Sequence, residues 1–224
     1  MPRLRDCAEF DRLLPAEIAS PGDEIHSASG GSTMASTARR KLLICAAVVI
    51  IAGGAALLSI VAAPGLAGLL GAALALLMIA IAIVDARSFI IPDQLSLAAF
   101  LLALANASQI SFEGAPERII IAASQGVVLS LAFFGLREIY RRVRKRQGIG
   151  LGDVKLAAVA GAWLEWTFVP VAIEIAALAA LAAYALGGLL AHRPLRAGAR
   201  LPFGLFFAPA IWLCWLLEAA FYEY

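Results

Sequence analysis

Seven apolar runs, at residues 42–63, 65–84, 94–107, 119–136, 154–166, 169–190 and 203–221, alternate with short polar segments. They are continuous and rich in Ala, Leu and Ile. Strands of a membrane barrel would instead alternate with period two over about ten residues, so the pattern predicts helices. Several runs reach the roughly 20 residues that cross a bilayer. The third and fifth are short and follow polar turns; they are taken as spanning helices entered from those turns, with a re-entrant course as the alternative. The expected fold is an all-α polytopic transmembrane bundle of about seven helices.

The polar segments give this bundle a direction. Arg39, Arg40 and Lys41, then Arg87, then the flank from Arg137 to Arg146 with its basic loop at 141–146, then Arg193, Arg196 and Arg200 all fall on one side if every run crosses. Only Arg118 falls on the other. The positive-inside rule makes the crowded side, and the N-terminus, cytoplasmic. Residues 1–38 are polar, with Pro15, Pro21 and a Ser/Gly/Thr patch at 27–37. They are expected to form a disordered cytoplasmic tail with a short helix near 8–14, ahead of a membrane domain at 39–224. Met34, just before the basic cluster, is a candidate start codon. The run after Lys41 is too long for a cleaved signal peptide.

Composition agrees. Of 224 residues, 62% are hydrophobic and 15% charged, with a mean hydropathy of +0.88, which excludes an ordinary soluble domain. A net charge of +2 suggests no nucleic-acid partner; the bilayer is the expected environment. Cys7, Cys45 and Cys214 form no CxxC pair, and His26 and His192 are the only histidines, so no metal site and no cofactor is expected. Trp163, Trp166, Trp212, Trp215, Tyr222 and Tyr224 mostly lie near outer helix ends and suggest an interfacial belt. Glu174 lies in the sixth run and is given no role.

The candidate chemistry lies in two turns on the cytoplasmic side. One is Gly148-Ile149-Gly150-Leu151-Gly152-Asp153-Val154-Lys155-Leu156; the other runs Val84-Asp85-Ala86-Arg87 to Ile91-Pro92-Asp93-Gln94-Leu95. A carboxylate at the mouth of a membrane helix is costly and marks function by default. Two aspartates in a partly dry site would share a proton, one serving as base toward water and the other as acid toward a carbonyl. Gly150 and Gly152, without Cβ atoms, would let another backbone approach Asp153. The plainer alternatives are that Asp153 is an N-cap and Asp85 a helix-end acid paired with Arg87 or Lys155. Pro92 starts the third helix, and Asp93 in its first turn suits the dipole as a capping or supporting residue. Lys155 and Arg87 would snorkel.

At these residues the chain resembles the type IV prepilin peptidases, the A24 family of GxGD membrane aspartyl proteases. The matching pieces are Asp85-x-Arg87 with Ile91-Pro92-Asp93-x-Leu95, then Gly150-x-Gly152-Asp153-Val154-Lys155-Leu156, then Leu201-Pro202-Phe203-Gly204. The resemblance implies that Asp85 and Asp153 are catalytic. It also implies an inner-membrane enzyme that cuts the basic leader of prepilins or pseudopilins at the cytoplasmic face, for type IV pili, type II secretion or Tad pili. Long forms of the family carry paired CxxC motifs in an N-terminal methyltransferase region; without them, a peptidase-only short form is expected. The rival readings are a proton-coupled transporter, a non-catalytic pilus or secretion assembly factor, and a presenilin-like protease cutting within a substrate helix. Oligomeric state is left open.

Overall fold

The computed structural model describes residues 29–109, 115–145, 148, 150–190 and 202–221. The expectations for residues before Ser29, for Arg146, for the 191–201 stretch with its histidine and arginines, and for Tyr222 and Tyr224 fall outside these.

Among the described residues there are seven helices and no strand: α1 Ser29–Ala62, α2 Leu66–Ser88, α3 Asp93–Ala107, α4 Ala115–Arg144, α5 Leu151–Trp163, α6 Phe168–Leu190 and α7 Phe203–Phe221. Each apolar run has become a helix. Five helices are long and apolar enough to cross a membrane; α3 and α5, at 15 and 13 residues, are shorter. The chain divides into two compact units at Ala47 and Val48. The described part of the first is the N-terminal half of α1, which begins at Ser29, inside the polar stretch expected to be disordered. All else belongs to the second unit.

In the second unit α5 is central, packing on α3, α4 and α7, while α2 packs on α3 and α7, and α6 on α7. From Leu156 onward nearly every α5 side chain is buried, as expected of a helix that is apolar all round. The outer helices expose their apolar faces instead: Val49, Ile50 and Leu57 on α1, Leu178 and Leu181 on α6. With lipid as solvent, such exposure is the normal state.

Two expectations need correction. The basic segment is not a loop up to Arg144, since α4 continues through it. No helix breaker intervenes, Glu138 pairs with Arg141 and Arg142 at 2.8 Å each, and cations favour a helix C-terminus. Nor do the tryptophans form a simple belt. Trp163 and Trp215 are buried and meet edge-on at 6.3 Å. Trp212 donates to the Ser59 hydroxyl at 2.9 Å, tying α7 to α1 within the second unit.

Candidate functional site

Asp85 sits in the last turn of α2, where the negative end of a helix dipole disfavours a carboxylate. It is nonetheless buried, with 5% exposure. Compensation comes from another helix. The Leu205 amide, one of the orphan donors in the first turn of α7, donates to Asp85 Oδ2 at 2.9 Å. The acid of one helix thus caps a helix that begins well over a hundred residues later.

This contact requires Gly204. A Cβ there would stand 2.8 Å from Asp85 Oδ2 and 2.9 Å from Ile91 Cδ1, closer than such atoms pack. The Pro202-Phe203-Gly204 segment therefore positions Asp85 directly.

Asp153 occupies the third residue of α5, not its cap. The cap is Gly150, whose amide donates to Asp153 Oδ2 at 3.1 Å. This is half of a capping box, so the capping alternative holds for one oxygen. The turn that carries Asp153 and the segment that holds Asp85 share one packing partner, Ile91. The two expected acids come from separate helices and lie at the same end of the second unit.

Ile91 joins them. It is 3% exposed, and a Cβ on Gly152 would meet its Cδ1 and Cγ1 at 2.9 Å. Its Cδ1 lies against Gly204 as well. The space left by Gly152 is thus filled by the protein's own side chain, so of the two glycines only Gly150 could admit a foreign backbone. Sequence reasoning missed Ile91 and Leu205. The Ile-Pro-Asp segment contained Ile91, but no periodicity distinguished it.

Asp93 is drawn away from this cluster. Its carboxylate pairs with Lys155 and its side chain is 85% exposed, so it links α3 to α5 on the outside. Lys155 is paired rather than snorkelling freely. Pro92 has φ −62° and immediately precedes α3, as its ring requires. Arg87 is exposed in the last turn of α2. Among the described residues, no group of three His, Cys, Asp or Glu is arranged to hold a metal ion.

Residues 72–191, more than half of the chain, match the type IV leader peptidase family. A prepilin leader peptidase/N-methyltransferase of Aeromonas hydrophila is 29% identical over 154 residues, covering 69% of this chain and 51% of that protein. Its counterpart in Dichelobacter nodosus is 32% identical over 142 residues, covering 63% and 46%. Leader peptidase HopD of Escherichia coli is 42% identical over 71 residues, covering 32% and 45%. The chain spans about half the length of these curated relatives. No solved structure matches it.

Proposed function

Because this chain belongs to the type IV leader peptidase family, we propose that it is a membrane aspartyl endopeptidase that removes the basic leader of prepilins or pseudopilins. One observation carries the reading. Asp85 is buried at the disfavoured end of its helix, held there by an amide of α7, and the turn that carries Asp153 packs on the same Ile91 side chain as the turn that holds Asp85. Capping α7 accounts for one oxygen of Asp85, and a capping role alone leaves the second acidic turn beside it unexplained.

In the proposed reaction a water lies between the two carboxyl groups, which share one proton. The ionised carboxylate takes a proton from the water as its oxygen attacks the scissile carbonyl carbon. The protonated partner gives its proton to the carbonyl oxygen, producing a neutral tetrahedral diol. Collapse breaks the carbon–nitrogen bond: the leaving nitrogen takes the proton held by the dyad, one hydroxyl of the diol returns its proton to the other carboxylate as the new carbonyl forms, and one shared proton remains. Gly150 offers the open side of the turn through which the substrate backbone approaches. No metal or cofactor is assigned a part.

The site is proposed to face the cytoplasm from the inner membrane, which agrees with the bias of Arg and Lys toward that side. A basic leader would meet the cationic end of α4 there. Glu138 neutralises part of that end through Arg141 and Arg142, which lowers the repulsion.

Asp85→Asn and Asp153→Asn are each expected to abolish cleavage of a co-expressed prepilin while the protein stays in the membrane at normal abundance. Immunoblotting of both proteins tests this, and normal processing by either variant would overturn the reading.

A further inference from the structure

At the end of the second unit remote from the aspartates lies a cavity of about 610 Å³. It is half open and is bounded by the C-terminal ends of α3, α5 and α7, the start of α4 and the α5–α6 turn. Its chemistry is unlike that of the surrounding helices. Glu218, 6% exposed, lines it, and among the described residues its carboxylate accepts one hydrogen bond, from the Glu165 amide at 3.5 Å. Trp163, also 6% exposed, lines it too, and its indole N–H has no acceptor among the described residues. Trp166, 47% exposed, and Arg118 form the rim.

These groups make complementary demands. A buried carboxylate with a single long hydrogen bond is stable as an anion only beside a cation. Indole faces attract ammonium groups. An orphaned indole N–H requires an acceptor, and an arginine at the rim suits an anion. A ligand that satisfies all four is a zwitterion, with an ammonium to go deep and a phosphate to stay at the mouth. Exposed apolar side chains at the start of α4, Ile120 and Ile121, place lipid beside this opening, and Trp166 and Arg118 are residue types that settle at headgroup depth.

We propose that this cavity binds the ammonium of a phosphoethanolamine headgroup, with Glu218 and the indole face of Trp166 holding the amine, and the Trp163 N–H and Arg118 donating to the phosphate. The site is independent of the peptidase reading and serves lipid retention at the far end of the unit.

The test uses the full chain in nanodiscs of phosphatidylglycerol mixed with phosphatidylethanolamine, with retained lipid read by native mass spectrometry. The parent is expected to favour phosphatidylethanolamine by about tenfold, and near-isosteric Glu218→Gln to reduce this to near parity. Trp166→Leu, at the exposed rim, should weaken the preference severalfold without touching the core. Soluble ethanolamine added in competition separates the sources. Displacement supports recognition of the ammonium alone, and retention supports recognition of the whole lipid. Absence of a preference in the parent overturns the proposal, as does an unchanged preference in Glu218→Gln. Should Glu218→Gln fail to fold, an unchanged preference in Trp166→Leu overturns it.

Discussion

At the residue scale, the packing of Ile91 against Gly152 and Gly204 sets how closely the two acidic turns can approach. The three nearest atoms that a Cβ on Gly152 would meet belong to Ile91. Gly152→Ala is therefore expected to lower cleavage at least tenfold and to cost about 1–3 kcal/mol in stability, as overpacking does. Adding Ile91→Ala should restore part of both, because it removes the two closest atoms. A double-mutant cycle on activity and on thermal unfolding measures the coupling, and additive effects would show that the contact does not matter. Gly204→Ala should not be rescued in this way, since Asp85 itself stands in the path. The two aspartates were legible in the sequence because a carboxylate beside a membrane helix is chemically conspicuous. Ile91 and Leu205 were not. Ile91 is one apolar residue among many, and the Leu205 amide is backbone, carried to Asp85 across 120 positions by the fold.

At the scale of elements, the helices themselves could be read from hydropathy, but their surroundings could not. Lipid and protein core are equally apolar, so nothing in the pattern separated α5, buried almost all round, from α1, largely exposed. For the same reason Trp163 and Trp215 were expected at the interface and lie in the core. The α4–α5 crossing shows what does discriminate: small residues where backbones meet. A Cβ on Gly161 would stand 2.7 Å from the Gln125 carbonyl oxygen, and one on Gly126 would stand 2.7 Å from that of Ala158. Backbone cannot yield as a side chain can. Gly161→Ala is expected to destabilise the detergent-solubilised protein by about 1–3 kcal/mol. Gly53→Ala, with nothing within 4 Å, should be neutral or slightly stabilising through helix propensity. Equal melting temperatures for the two variants would contradict this account of the crossing.

At the scale of the whole molecule, charge bias and the helix order imply one orientation. Lys145, after α4, should lie on the cytoplasmic side with the acidic turns, and Ser108, after α3, on the opposite side. Single cysteines at these positions, in a background lacking the native ones, should be labelled from opposite sides of a sealed vesicle. Labelling of both from one side would refute the orientation.

The brevity of α3 has a mechanical consequence. Its 15 residues extend about 22 Å, against a hydrocarbon layer of about 30 Å, and Leu97 and Leu101 point outward from it. Acyl chains alongside must shorten their reach, leaving a dent in the leaflet beside the turn that leads to Asp93. Such a dent would bring interfacial water and the polar end of a membrane-anchored peptide down to the level of the acids. Under the proposed activity, membrane thickness becomes a control on cleavage, which is expected to be faster in bilayers of short-chain lipids than in long-chain ones. Equal rates across a series of chain lengths would show that no such dent governs access.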